Sequence, residues 1–259
     1  MPKSKDKVLE GSFPNAGIEA AYRQAIMRLV DEMQKSYVYW LTKKYKAEMA
    51  QDISMAAAMQ AAMQKLIKRW QQRFNWAAPK LADWFAQKAS KRSDKQLEHI
   101  LRKGGISVRF KMTKVQKEIV QASVIENVAL IKSIPQKYHT AIVPMVMDSV
   151  KHGRKLDDLT KQLQKNYKVT RNRAILIAKD QNNKATSALT AARQNELGLQ
   201  ALWLHSGGGR HPRPTHVANS GKPYDPVKGW YDPAIKKRIW PGTEINCRCV
   251  SKTVVPGFS

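Results

Sequence analysis

The sequence predicts an α+β protein, with a predominantly α-helical N-terminal region followed by a small, irregular α+β module. Residues 18–90 contain Pro79 but no other proline or glycine, and they are rich in Ala, Met, Gln, Lys and Leu, which favour helices. After Gly198, prolines and glycines recur every few residues, which is typical of short strands joined by loops. We therefore divide the chain into a helical N-terminal region, a helical connecting segment and a compact C-terminal module, at residues 1–104, 105–198 and 199–259.

In the N-terminal region, apolar residues recur at the three- and four-residue spacing of an amphipathic helix. The stripe consists of Met55, Met59, Met63, Leu66, Ile67 and Trp70. A methionine-rich stripe can form an adaptable docking surface. At this spacing, packing into a core is the commoner use, and we interpret the stripe as core.

Breaks and short strands are predicted farther along the chain. Gly104 and Gly105 should end a helix, and residues 106–110 are prone to form a strand. We expect Pro135 to stop the next helix. The apolar run at residues 199–206 predicts a strand, and residues 246–255 predict the last one.

Thr170 is predicted to cap a separate helix that runs to about Glu196 and is closed by Gly198. One face of this helix is apolar and includes Ala174, Ile177, Ala178, Ala185, Leu189 and Ala192. Basic residues mostly occupy the other face. They are Arg171, Arg173, Lys179, Lys184 and Arg193.

The chain carries 46 Lys and Arg against 20 Asp and Glu, for a formal net charge of +26. Such a charge attracts polyanions, which include nucleic acid, anionic membranes and acidic proteins. We put nucleic acid first. The predicted phosphate contacts are the five basic residues of the helix above together with Arg210 and Arg213.

Several protein classes are disfavoured. Residues 1–7 are polar and no apolar segment follows, so no secretory signal is expected. The apolar run at residues 141–147 is far shorter than the roughly 20 residues that span a bilayer. With two cysteines, Cys247 and Cys249, the chain is not a disulfide scaffold.

The C-terminal module contains an ordered set of distinctive residues. They are Trp203, Arg210, Arg213, His216, Gly221, Pro241, Gly242, Asn246, Cys247, Arg248 and Cys249. A strand ending in Trp, a loop with Arg and then His, a Gly, and Asn-Cys-Arg-Cys after Pro-Gly resemble the C-terminal domain of phage Mu protein F-like minor head proteins. Residues 130–135 and 173–178 also resemble that family. The likeness extends over about residues 126–254.

This resemblance implies a minor capsid, or head morphogenesis, protein of a tailed phage. Such a protein is made in the host cytoplasm and is present in multiple copies in the virion, inside the capsid near the portal. Its expected partners are the portal protein, the major capsid protein or both, and packaged double-stranded DNA, with no membrane span. It would act in head assembly, DNA packaging or genome delivery. The alternative is a nucleic-acid-binding protein acting inside the infected cell.

We expect no cofactor, and a structural zinc ion is the lesser alternative. Cys247, Cys249 and His216, with His211 or His205, supply enough ligands for one tetrahedral Zn²⁺. However, one residue separates the two cysteines, whereas zinc knuckles usually have two to four. The other interpretation is two small buried residues that pack a final strand.

The sequence does not predict an enzyme. A hydrolase or nuclease would need Ser206 or Cys247 as nucleophile and His216 as base. Asp225 or Asp232 would then orient the base. The chain has no signature of a known hydrolase or nucleotide-binding loop. In the family pattern an acidic residue often stands between the Trp and the Arg-His loop, but here Ser206 and three glycines stand there, which weakens any transfer of catalytic roles.

Overall fold

The computed structural model describes residues 6–48, 54–152, 156–207 and 211–257. The helices of this part are α1 (Ala16–Glu48), α2 (Met55–Lys103), α3 (Lys114–Lys151), α4 (Leu156–Glu196) and α5 (Pro214–Ala218). The strands are β1 (Lys7–Gly11), β2 (Gln200–Leu204), β3 (Pro223–Tyr224), β4 (Trp230–Asp232), β5 (Lys237–Ile239) and β6 (Val250–Val255). The predicted α+β class, helical first and irregular at the C-terminal end, is confirmed.

The chain folds into two compact units. The helical unit comprises Ala21–Asp83 and Ile125–Ile177, and the sheet unit comprises Met1–Ala20, Trp84–Val124 and Ala178–Ser259. Each unit combines segments that are far apart in the sequence. Our linear division at residues 104 and 198 remains a prediction. In the described part of the chain, every helix is too short or too polar to cross a membrane.

The core of the helical unit contains the predicted methionine stripe. Met59, Met63, Leu66 and Trp70 are all buried, which confirms that the stripe is core. Buried tyrosines add specific polar links, since Tyr22 Oη donates to Asn127 Oδ1 at 2.7 Å and Tyr138 Oη donates to Gln34 Oε1 at 2.6 Å. These bonds satisfy polar groups that would otherwise be costly to bury.

The sheet unit contains an antiparallel four-stranded sheet in the order β1-β6-β2-β3. Strand β6 lies between β1 and β2, with Trp203 opposite Ser251 and Leu204 opposite Val250. Strands β4 and β5 form a separate hairpin. One buried cluster packs against Trp230 and Trp240. Its members are Ala201, Trp203, Tyr224, Ile239, Cys247 and Cys249.

Two predicted helix boundaries are wrong. Pro135 lies inside α3, and Thr170 lies inside α4, where its hydroxyl donates to Asn166 O at 3.0 Å. Proline removes one helical hydrogen bond. The fully buried Ile131 and Tyr138 on either side of Pro135 show that packing of the helix outweighs that loss.

Two predicted strand segments are also corrected. Residues 106–110 form no strand, and the N–H of Phe110 donates instead to Glu98 Oε1 at 2.7 Å. Strand β6 begins at Val250 rather than at residue 246. The preceding residues turn, with the N–H of Cys247 donating to Glu244 O at 2.8 Å. The two cysteines therefore come before the strand.

Both predicted glycine stops are confirmed. Helix α2 ends at Lys103, Gly105 has φ 94°, and the N–H of Ile106 donates to Leu101 O at 2.9 Å. Gly198 closes α4 in the same way, with φ 62°. The positive φ suits glycine because it has no Cβ.

Candidate metal centre

Four side chains from three separate parts of the sheet unit meet beside Trp203. His205 follows the end of β2, and His216 lies on α5. Cys247 and Cys249 lie in the turn that leads into β6. Cys247, Cys249 and His216 are 4%, 5% and 2% exposed, while His205 is half-buried. The site is therefore almost entirely inside the core.

The short helix α5 fixes the position of His216. Arg213 is extended, with φ −71° and ψ 125°, and Pro214 occupies the first turn of the helix. A proline there costs no helical hydrogen bond and disfavours helical geometry in the residue before it. The helix therefore starts abruptly and turns His216 into the core, where its ring lies 5.1 Å from Trp203 and 6.2 Å from Trp230, both edge-on.

The ligand-type atoms lie close together. His216 Nδ1 is 3.4 Å from Cys247 Sγ and 3.7 Å from Cys249 Sγ. His205 Nδ1 is 3.7 Å from Cys249 Sγ. The atoms of Cys247, Cys249 and His216 all lie within 4.8 Å of one another. In the described part of the chain, this is the cluster of His, Cys, Asp and Glu that could hold a metal ion.

The other side of the His216 ring faces a buried carboxylate. His216 Nε2 is 3.3 Å from Asp232 Oδ2, although the contact lacks hydrogen-bond alignment. Asp232 is fully buried and also accepts from Thr215 Oγ1 at 3.3 Å and from the N–H of Ala234 at 3.0 Å. These contacts hold the carboxylate in place and favour the Nδ1 side of His216 for binding the sulfur atoms or a metal.

The two thiols have opposite acidities. Donation from the Cys249 thiol lowers the pKa of Cys247, and His216 and the backbone N–H groups of Cys249 and Gly242 lower it further. Burial acts against them. The pKa of Cys249 is raised because its hydrogen bond to Cys247, its burial and the charge of the Cys247 thiolate all disfavour a second negative charge. Cys247 is thus the first of the pair to ionise.

The turn that carries the cysteines needs unusual backbone angles. Gly242 has φ 88°, and a Cβ there would lie 3.2 Å from Cys249 O. Asn246 has φ 59°, which asparagine tolerates better than most residues. The buried Pro241 precedes Gly242. The amide of Asn183 donates to Cys247 O at 2.8 Å and ties the turn to α4.

The remaining residues of the predicted motif have structural contacts. The N–H of Gly221, which has φ 80°, donates to Trp203 O at 2.7 Å. Arg213 Nη2 donates to Ile245 O at 2.9 Å. The side chain of Arg248 is exposed, while its carbonyl accepts from Ser206 Oγ. Arg210 lies outside the described residues.

The predicted nucleic-acid contacts have different environments. Arg171 is exposed, and Arg173 is half-buried and donates to Ser133 Oγ at 2.8 Å. Lys179 and Lys184 are half-buried, and Lys184 pairs with Asp180 at 3.1 Å.

Arg193, predicted to contact phosphate, is buried. It is 2% exposed, and it pairs with Asp94 at 2.9 Å and with Glu196 at 2.7 Å. It also donates to Lys111 O at 2.9 Å. The expected exposed position is wrong, because Arg193 neutralises two carboxylates inside the sheet unit. A phosphate in their place would leave Asp94 and Glu196 without their positive partner.

The site also has the order of a Cys-His-Asp triad. Of the candidates for nucleophile and orienting carboxylate, the structure brings Cys247 and Asp232 to His216. Ser206 Oγ instead donates to Arg248 O. Asp225 accepts from the N–H groups of Val227 and Lys228 in its own loop. The adjoining cavity measures about 40 Å³. That volume holds an ion or a water molecule but not a peptide or nucleotide.

The local sequence indicates His205 and Asp232 only as alternatives among several residues. Nothing in it distinguishes His205 from His211, or Asp232 from Asp225. It gives no sign of Trp230 and Asn183 as parts of the site, because both come from distant elements. The cysteines and His216 are predictable, since the Asn-Cys-Arg-Cys pattern and the His after Arg213 are local signals.

The part of the chain that matches a known family includes the residues of this site. Residues 140–252 match the family described as "Phage Mu protein F like protein". The chain is also similar to an uncharacterized protein of Haemophilus influenzae, with 32% identity over 138 residues. That region covers 53% of this chain and 30% of the relative, so the chain spans less than a third of its length. No solved structure matches the chain significantly.

Proposed function

Since residues 140–252 match the phage Mu protein F-like family, we propose that the chain is a minor head protein of a tailed phage. The observation that carries the proposal is the overlap between the family match and the compact assembly around Trp203 and the cysteine turn. That assembly is specific in sequence and is buried as a unit. The proposed role is in head assembly, DNA packaging or genome delivery, inside the capsid near the portal.

The charge of the chain supports a position next to packaged DNA. The net charge is +26. In the helical unit, a groove of about 420 Å³ is lined by Arg23, Arg28 and Arg171, with Asp31 also at its wall. Arginines bind phosphate oxygens in a bidentate manner. We propose that this groove contacts the DNA backbone without reading its sequence.

Two exposed tryptophans of the helical unit support docking to a head protein. Trp40 and Trp76 are 43% and 58% exposed, and basic groups lie over their rings, with Lys80 Nζ 3.8 Å from the Trp76 centroid. Trp40 also lines an apolar groove of about 630 Å³. Tryptophan is enriched in protein interfaces and among the residues that contribute most to binding. We propose the portal protein or the major capsid protein as the partner.

A stop codon early in the reading frame tests this role in the phage or prophage that encodes the chain. We expect normal synthesis of the major capsid protein but a loss of infectious, DNA-filled particles. Expression of the chain from a plasmid should restore them. Normal yields of infectious particles without the chain would contradict a role in the head.

The Cys247, His216 and Asp232 order favours one rival, a cysteine hydrolase. A hydrolase predicts that Cys247→Ser abolishes turnover and that a small thiol-reactive electrophile labels Cys247 selectively. The burial of all three side chains and the small cavity argue for the structural role instead. We therefore expect slow labelling and no hydrolysis of peptide or nucleic-acid substrates by the full chain.

A further inference from the structure

We propose that Cys247, Cys249, His216 and His205 bind one zinc ion that links three segments of the sheet unit. The two sulfur atoms and the two imidazole nitrogens form a donor set typical of structural zinc sites. Binding releases the remaining thiol protons to solvent and leaves the ion and its four ligands without net charge, because two thiolates balance Zn²⁺. A neutral site is the form that a buried position favours.

The distances match the geometry of zinc. Around a tetrahedral ion, with Zn–S bonds of about 2.3 Å and Zn–N bonds of about 2.0 Å, sulfur and nitrogen ligands lie roughly 3.5 Å apart. The observed sulfur–nitrogen distances are 3.4, 3.7 and 3.7 Å. Three edges of the expected tetrahedron are thus already present between the side chains.

The short spacing of the cysteines does not prevent binding. In zinc knuckles the intervening residues curl the chain so that both thiolates reach one ion. Here the backbone turns before Cys247, at Asn246 with φ 59° and at the bond from the Cys247 N–H to Glu244 O. Both sulfur atoms lie within 3.7 Å of the same nitrogen of His216, so one intervening residue is enough here to bring both thiolates to one ion.

The groups around the four ligands support a metal. Asp232 faces Nε2 of His216 at 3.3 Å, so that Nδ1 is left for the ion. A carboxylate behind a ligating histidine is common at zinc sites, where it orients the ring. The cavity of about 40 Å³ at the ligands is large enough for a single ion.

His205 is the fourth ligand. It lies next to Cys249 but outside the tight group of Cys247, Cys249 and His216. Its half-buried ring comes from the end of β2, whose last residue, Leu204, pairs with Val250 of β6. A zinc ion would therefore connect the end of β2, α5 and the turn before β6. Two of them, α5 and the turn, supply His216 and the cysteines that pack with Trp203.

Metal analysis of the full-length chain, purified under reducing conditions without a metal-affinity tag, tests the site. We expect about one zinc ion per chain. Cys247→Ser and Cys249→Ser should lose it, whereas the exposed His99→Ala should keep it as a matched histidine control. Asp232→Asn should retain zinc with an affinity about 10- to 100-fold lower. His205→Ala, which removes a direct ligand, should bind zinc more weakly than Asp232→Asn.

A second measurement does not depend on the folding of variants. Cobalt added to the metal-free wild-type chain should give the visible absorption bands of a tetrahedral site and the ultraviolet bands of cobalt–thiolate bonds. Zinc should displace it and raise Tm. A wild-type chain that gives no such bands and is purified without zinc would overturn the proposal. Unchanged affinity in His205→Ala would overturn the assignment of the fourth ligand.

Discussion

The guanidinium of Arg193 holds two carboxylates and stacks over the ring of Phe110, with 4.5 Å between Cζ and the ring centroid. The guanidinium is almost fully buried, so the two carboxylates, rather than water, compensate its positive charge. Removing one carboxylate leaves a buried positive charge that is less well compensated. Arg193 therefore contributes to stability rather than to DNA affinity.

Asp94→Ala is expected to lower the free energy of unfolding by about 3 kcal/mol, because it removes half of the charge that compensates Arg193. Urea denaturation measures this change. The control is Glu10→Ala, which breaks the exposed pair with Lys103 at 3.2 Å and should cost less than about 1 kcal/mol. Equal effects of the two substitutions would contradict the buried role of Arg193.

His139 gives the helical unit a dependence on pH. Burial lowers the pKa of His139 to about 4, so it is neutral in the native state at pH 5. The unfolded chain, with a histidine pKa of about 6.5, binds a proton there that the native chain does not. Stability due to His139 is therefore present above about pH 6.5 and is lost as the pH falls toward 4.

His139→Phe should reduce this acid destabilisation while keeping an aromatic ring near Tyr37, whose centroid lies 5.7 Å away. We expect the loss of unfolding free energy between pH 7 and pH 5 to be smaller by about 1 to 2 kcal/mol than in the wild type. Denaturation at the two pH values measures it. The exposed His99→Phe should leave the loss unchanged, and an equal loss in His139→Phe would refute the assignment.

At the scale of elements, the turn before β6 depends on Gly242. A Cβ at this positive φ is strained and would approach Cys249 O. Gly242→Ala should lower the free energy of unfolding by about 1 to 2 kcal/mol and weaken metal binding at the cysteines. Gly207→Ala is the control, since a Cβ there meets nothing within 4 Å. Similar stability of the two variants would contradict the strained turn.

The elements that the sequence predicts correctly are those with local signals. Glycine stops at Gly105 and Gly198, the methionine stripe and strand β2 all follow from a few neighbouring residues. Helices that continue through Pro135 and Thr170 depend on packing against distant segments, which no local signal reports. Strand β1 is not predictable for the same reason, because its pairing with β6 joins segments far apart in the sequence.

The site also has parts that local signals predict and parts that depend on distant segments. The cysteine turn and His216 follow from their order in the sequence. Their convergence with His205 and Asp232 requires β2, α5 and the β4–β5 hairpin to be folded. The burial of Arg193 could not be predicted, since its partner Asp94 lies 99 residues away. In the sequence, Arg193 does not differ from the other basic residues of its helix.

At the scale of the whole molecule, the net charge predicts binding to double-stranded DNA that depends strongly on salt. Changing Arg28 and Arg171 to Gln should weaken binding similarly for unrelated DNA sequences. The slope of log K against log salt should fall by about 1 for each phosphate that the variant no longer neutralises. Fluorescence anisotropy over a salt series measures this. A sequence-specific loss in the arginine variants would contradict backbone binding.

A head protein must be present in the assembled virion, whereas a nucleic-acid-binding protein of the infected cell need not be. Quantitative mass spectrometry of purified virions, both DNA-filled and emptied, distinguishes the two, with the portal protein as the internal scale. We expect multiple copies of the chain per portal in filled virions. Loss on emptying would identify it as ejected with the genome, and retention would identify it as a fixed head component. Its absence from filled virions would contradict the proposed function and favour the nucleic-acid-binding protein.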